Sequence, residues 1–135
     1  MRIWKARQTD FSDIHRLAGE FGLEYPGMEE DAFFVAEEGR RIIGIGALKR
    51  HKGFMELCSL GVEEKFRGRG AARQLVRALI RQTSRDIYLA TLIPEFFEKF
   101  GFTRSGTVPP SMVKDPEWCE GCRKELCTVM KRKGR

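Results

Sequence analysis

Between the apolar stretch Leu57 to Val62 and a segment of helical periodicity lies Arg67-Gly68-Arg69-Gly70-Ala71-Ala72-Arg73, a run suited to holding an anion. A loop that opens a helix leaves the first backbone N–H groups without intrahelical partners, and the aligned peptide dipoles place partial positive charge at that end. Glycines at 68 and 70 and alanines at 71 and 72 remove side-chain bulk, so a phosphate can approach the backbone, while Arg67, Arg69 and Arg73 add formal charge. The chemistry implied is a pyrophosphate cradle; an Arg/Gly-rich turn without a ligand is the alternative. The dinucleotide fingerprint G-x-G-x-x-G would begin at Gly68 but meets Arg73 where its last glycine belongs. The triphosphate loop requires a Gly-Lys-Ser/Thr that the chain does not contain.

A second constellation is Cys119-x-x-Cys122 followed by Cys127. Its spacing has metal-ligand character, but tetrahedral zinc takes four ligands and no nearby histidine supplies the fourth. Zinc on Cys119, Cys122 and Cys127, a disulfide, and reduced thiols all stay open. Cys58 reads as a small buried apolar residue.

These residues need elements to place them. Ile3 to Ala6 reads as a strand, and Asp10 as the cap of a helix whose apolar positions Ile14, Leu17, Ala18 and Phe21 recur at helical spacing, with Gly22 at its exit. Residues 22–30 form a turn-rich connection. Phe33 to Glu37 and Arg41 to Arg50 are rich in β-formers and should pair as a hairpin, followed by a third strand, Phe54 to Val62. From Gly70 onward Ala72, Leu75, Val76, Leu79 and Ile80 mark one helix face, with Arg73, Arg77 and Arg81 along another. Asp86 to Thr91 reads as a strand, Pro94 to Phe100 as a short helix stopped by Gly101, and Phe102 to Val108 and Leu126 to Lys131 as strands closing the sheet. The order is that of a mixed α/β domain.

At 135 residues the chain reads as a single domain, 1–135, with a Cys-containing segment at 109–127 and a basic tail at 131–135 that is expected to be a disordered, solvated end. The net charge of +6 and pI of about 9.4 fit an anionic ligand and equally fit nucleic acid. The aromatics sit in apolar runs such as Phe33-Phe34 and Phe96-Phe97 rather than between Lys and Arg, which argues against a base-stacking surface. No apolar stretch approaches the roughly 20 residues of a membrane span, and Met1 to Asp10 has no leader-like apolar core, so no membrane partner and a cytoplasmic location are expected. A homodimer is one arrangement left open.

The loop at 67–72 resembles the Q/R-x-x-G-x-G/A loop of the GNAT superfamily of acyl-CoA N-acyltransferases, with Arg67, Gly70 and Ala72 on its defining positions. Phe96-Phe97-Glu98-Lys99-Phe100-Gly101-Phe102 resembles that family's F-Y-x-x-x-G-F helix-strand junction. The resemblance spans nearly the whole chain and implies a mixed, mostly antiparallel central sheet flanked by helices. It also implies acetyl-CoA as acyl donor, its pyrophosphate on residues 67–73 and its acyl carbonyl and pantetheine arm on the backbone of Leu60 and Val62, with Gly61 leaving the way free of a side chain.

Acyl transfer to an amine requires loss of a proton from an ammonium whose pKa is near 10.4, and a carboxylate beside the acyl group can remove it. Family members with a glutamate base carry it in the strand before the phosphate loop, which implies Glu56 as the catalytic base, with a solvated surface glutamate as the alternative. Where many relatives place a tyrosine to protonate the leaving thiolate, this chain has Phe97; Tyr25 and Tyr88 are other hydroxyl donors. Trp118, Cys119, Cys122 and Cys127 after Pro94-Glu95-Phe96-Phe97 resemble short bacterial N-acetylglutamate synthase-like members, although Cys58 stands where that subgroup has an arginine. The expectation is therefore an acetyl-CoA-dependent N-acetyltransferase acting on a primary amine of a small molecule or amino acid, glutamate among them. The rival is a noncatalytic CoA-binding or metal-bearing interaction domain of the same fold.

Overall fold

The computed structural model describes residues 1–25, 27–112 and 127–135. Its elements are β1 (Arg2–Lys5), α1 (Phe11–Phe21), β2 (Phe33–Glu38), β3 (Arg41–His51), β4 (Phe54–Val62), α2 (Ala71–Arg81), β5 (Ile87–Thr91), α3 (Pro94–Glu98), β6 (Thr103–Arg104) and β7 (Thr128–Arg132). They form one seven-stranded sheet ordered β1-β2-β3-β4-β5-β7-β6, antiparallel throughout except where β4 and β5 run parallel. The mixed α/β architecture with helices on both faces agrees with the expectation from the sequence.

Alternation along the strands divides the core. Phe33, Val35, Ile45 and Ala47 point to one face and bury Ile14, Leu17 and Ala18 of α1. Ala36, Ile43, Leu48, Leu57, Ile87 and Leu89 point to the other and bury Leu75, Val76 and Leu79 of α2, with Phe97 and Phe102 behind them. The β2-β3 hairpin closes through Gly39 and Arg40, both at positive φ (59° and 66°), the conformation that matches a two-residue turn to the strand twist.

The feature that shapes the site is a bulge in β4. The β3-β4 register passes from Ala47↔Cys58 to Ile45↔Gly61, so Ser59 and Leu60 together oppose Gly46. Ser59 takes φ 52°, and its hydroxyl donates to the Leu23 carbonyl at 3.0 Å, tying the bulge to the exit of α1. Beside it, β4 and β5 pair only at Met55↔Ile87 and Glu56↔Tyr88. Beyond that point β4 stays with β3 and β5 with β7, and the two strands part.

Three expectations are corrected. Strand β6 is only Thr103–Arg104 rather than reaching Val108, because the Ser105 hydroxyl donates to the Thr107 carbonyl at 2.7 Å and accepts from the Thr107 N–H at 3.3 Å, curling the chain out of the ladder. The basic tail is not a loose end. Lys131 and Arg132 belong to β7, the Arg132 guanidinium donates to the Phe100 carbonyl at 2.9 Å, and the Gly134 N–H to Asp86 at 2.7 Å. The Gly134 N–H first, and then the Lys131 ammonium at 3.3 Å, hold the Asp86 carboxyl below its ordinary range.

Asp10 does not cap α1 with its side chain. Its carboxylate turns back instead and accepts from the Trp4 indole N–H at 3.0 Å and the Arg7 N–H at 2.9 Å. Burial works to raise the Asp10 pKa, and the bonds from Arg7 and Trp4 overcome it and leave the carboxyl below its usual value. A depressed folded-state pKa contributes stability that is present above the unfolded value and lost as pH falls through the folded one. Asp10→Asn is therefore expected to lower stability by about 1–3 kcal/mol at pH 7. In denaturant melts the gap to wild type should close below about pH 4; a gap independent of pH would show that the ionised carboxylate is not what stabilises the β1-α1 connection.

Candidate functional site

The site lies where β4 leaves β5, between the N-terminus of α2 and the α1 side of the sheet. Gly68 (φ 82°) and Gly70 (φ 86°, the N-cap of α2) hold left-handed conformations that a side chain would strain, and a Cβ built on either meets nothing within 4 Å. The glycines thus set the backbone course and leave the space in front of it open. The Gln74 N–H bonds the Gly70 carbonyl at 3.0 Å, so the N–H groups of Ala71, Ala72 and Arg73 precede the first helical bond and face a cavity of about 260 Å³. Val62, Phe66, Arg67 and Phe96 complete its wall.

The three arginines of the loop are used differently. The Arg67 Nε donates to the Val62 carbonyl at 3.1 Å, fastening the loop to the end of β4 while its side chain still lines the cavity. Arg69 pairs with Glu38 at 3.2 Å and lies over the Phe66 ring, so its charge is already engaged. Arg73 borders the cavity directly.

Gly61 is required for a reason the sequence did not show. A Cβ there would stand 2.5 Å from the Phe21 ring and 3.1 Å from Leu23. The close approach of α1 to the bulged strand, rather than an approaching ligand alone, demands glycine.

Glu56 occupies the last paired register before the strands part, on the α1 side of the sheet. It is 5% exposed, so the reading of a solvated surface glutamate does not hold. Across the sheet it aligns with Lys49 on β3, Tyr88 on β5 and, next to Tyr88, Lys131 on β7. Its Oε1 accepts from His51 Nε2 at 2.8 Å, and His51 Nδ1 meets the Ser111 hydroxyl at 2.7 Å. The His51 ring is stacked on Phe54 at 4.5 Å and 8°, and Phe54 meets Tyr88 edge-on at 5.1 Å.

Sequence reasoning marked Glu56 and missed both partners. For His51 a signal existed: the two-residue turn Lys52-Gly53 sets His51 opposite Phe54, which makes Glu56 its diagonal neighbour on the same face. Ser111 is 60 positions from His51 and gave none.

Tyr25 lies on the same side. Burial first, then the Cys58 thiol that it hydrogen-bonds, with Glu29 and Glu56 adding negative potential, push its hydroxyl pKa up, so it stays protonated as a donor. Lys49 lies over its ring at 5.2 Å. A cavity of about 330 Å³ borders this row at Tyr25 and Lys49. Phe97, by contrast, is 5% exposed and packed edge-on against Phe96 and Phe102 in the core. Cys119 and Cys122 lie outside the described residues, and Cys127 is exposed just before β7. Among the described residues no group of His, Cys, Asp or Glu could hold a metal ion, so the zinc expectation gains no support.

Comparison with known proteins adds the following. The model of an acetyltransferase (GNAT) domain matches residues 29–104. N-acetyltransferase 8B of Rattus norvegicus is 28% identical over 126 residues, covering 82% of this chain and 54% of that protein. The chain thus spans about half the length of this relative. Among solved structures, Rv2747 from Mycobacterium tuberculosis in complex with CoA and NLQ superposes with a TM-score of 0.76 at 19% identity, over 98% of this chain and 99% of that one. Naa50 of Arabidopsis thaliana in complex with the bisubstrate analogue CoA-Ac-MVNAL gives 0.65 at 20% identity, over 98% and 97%. N-acetylglutamate synthase of Neisseria gonorrhoeae complexed with coenzyme A and N-acetyl-glutamate gives 0.72 at 16% identity, over 99% of this chain and 35% of that one. These structural likenesses show the shared fold.

Because the Phe21 ring fills the space a side chain at position 61 would need, Gly61→Ala is expected to destabilise the protein by about 1–3 kcal/mol. Pairing it with Phe21→Leu should recover part of the loss. Thermal melts of the single and double variants check this, and an additive double variant would show that the two residues do not share that space.

Proposed function

The chain belongs to the acetyltransferase (GNAT) domain family, and on that premise we propose that it is an N-acetyltransferase that moves an acetyl group from acetyl-CoA to a primary amine of a small molecule or amino acid by direct attack. The observation that carries this reading is the cavity at the open α2 N-terminus, which Val62 at the end of β4 lines, on the strand whose last register shared with β5 holds the buried Glu56. The pyrophosphate of CoA is held by the N–H groups of residues 70–73, with Arg67 and Arg73 supplying charge and the helix dipole adding to it. Gly68, Arg69, Ala71 and Ala72 shape this loop. The pantetheine arm and the acyl carbonyl bond the backbone of Leu60 and Val62, with Gly61 between them offering no side chain to obstruct, and such backbone donors at the thioester oxygen stabilise the oxyanion.

Glu56 takes the proton from the acceptor ammonium. The amine then attacks the thioester carbon, and the thiolate, conjugate base of a thiol of pKa near 8.5, leaves without a tyrosine at position 97. Phe97 favours one competing reading, a domain that binds CoA without turning it over. Release of thiol from acetyl-CoA against a panel of amino acids, polyamines and peptides separates the two. Glutamate belongs in the panel, since an N-acetylglutamate synthase domain shares the fold.

Two variants test the parts separately. Valine at position 70 cannot adopt φ 86° without strain. Gly70→Val is expected to weaken CoA binding by more than about ten-fold in calorimetry; unchanged affinity in a folded variant would remove the phosphate site from this loop. Glu56→Gln is expected to lower kcat by ~10²-fold with CoA affinity retained. Full turnover at neutral pH would show that the amine loses its proton elsewhere.

A further inference from the structure

We propose that His51 is a positioning and proton-relay residue for Glu56, and that the chain Glu56, His51, Ser111 carries the acceptor's proton from the buried site to water. The proposal rests on the reading of Glu56 as the base. Its ground is the hydrogen-bond line Glu56 Oε1···His51 Nε2 at 2.8 Å and His51 Nδ1···Ser111 Oγ at 2.7 Å. Burial falls off along that line: Glu56 is 5% and His51 8% exposed, while Ser111 is exposed at the surface.

The chemistry of the three groups makes this more than a structural bond. An ionised carboxylate only accepts, so His51 Nε2 carries a proton; in the neutral ring Nδ1 is then an acceptor, and the Ser111 hydroxyl donates to it. When the ring gains a second proton, Nδ1 becomes a donor and the same hydroxyl turns and accepts. When the proton sits on Glu56 instead, the carboxyl donates to Nε2, Nδ1 carries the ring's proton, and Ser111 again accepts. Each protonation state is satisfied without moving a heavy atom. Stacking on Phe54, itself braced by Tyr88, keeps the ring plane fixed through these changes.

The titratable groups around the pair are Lys49 opposite on β3, Cys58 on β4, Tyr25 and Glu29 from the segment after α1, Tyr88 on β5 and Lys131 on β7, the last paired with Asp86 at 3.3 Å.

The reaction balances with one proton stored on the pair. The ammonium gives a proton to the Glu56-His51 pair, and the nitrogen lone pair forms the C–N bond at the thioester carbon. The C–S bond breaks with its electrons on sulfur, and the second nitrogen proton goes to the thiolate. The stored proton leaves through Ser111. One ammonium and one acetyl-CoA thus give one amide, one free thiol and one proton in water.

The test is a double-mutant cycle on the full chain, with the acceptor that gives turnover in the thiol-release panel. His51→Gln keeps a donor toward Glu56 but cannot take up a proton. It is expected to lower kcat about ten-fold or more while the KM for acetyl-CoA stays within about two-fold, and combined with Glu56→Gln to add nothing to the loss of Glu56→Gln alone. Effects that multiply, or a His51→Gln variant with wild-type kcat, overturn the relay while leaving the base in place. Wild-type turnover in Glu56→Gln instead overturns the base itself.

Ser111→Ala lies at the surface and guards against a misfolded His51→Gln; it should lower kcat with an unchanged melting temperature. Independently of any acceptor, the 15N spectrum of the His51 ring in wild type with CoA bound should show the ring proton on Nε2, facing the Glu56 carboxylate. A ring that carries its proton on Nδ1 and turns a bare Nε2 to an ionised Glu56 would contradict the proposal.

Discussion

The bulge at Ser59 and Leu60 is the constraint from which the rest of the site follows. A flat, continuous pairing of β4 with β5 would satisfy both edges and leave no room between them. By inserting an extra residue opposite Gly46 and fastening it to the Leu23 carbonyl, the chain turns β4 away after Glu56↔Tyr88. Two strand edges inside one sheet are thereby opened, and the α2 N-terminus stands at the mouth of the opening. The demand for glycine at 61 belongs to the same arrangement, since α1 must come close to hold the bulged strand.

The opening also explains why a carboxylate is tolerated in the sheet. A buried ionised group is costly unless it is bonded, and Glu56 is bonded by His51 across the turn of its own hairpin. His51 is in turn held by Phe54 and Ser111. The buried Glu56 thus has a hydrogen-bonded line through His51 to the exposed Ser111.

Much of this was legible in the residues. The helical spacing of Leu75, Val76 and Leu79, the β-rich runs on either side of Gly39 and the glycines at 68 and 70 report short-range physics, and the elements they mark formed close to where they were expected. What was not legible depends on long-range partners. The carboxylate of Asp10 looks like a cap until Trp4 and Arg7 compete for it, and the tail looks solvated until Phe100 and Asp86 offer acceptors. The bulge itself has no local signature, because Ser59 adopts φ 52° only with the exit of α1 there to receive its hydroxyl. Ser111 next to His51 is of the same kind.

A crystal structure of the protein with acetyl-CoA bound would read out both ends of the site at once. The pyrophosphate is expected on the N–H groups of residues 70–73 and the thioester in the gap between β4 and β5, within reach of the Glu56 carboxylate. Acetyl-CoA seated elsewhere on the protein, or in the loop with its thioester turned away from Glu56, would contradict it.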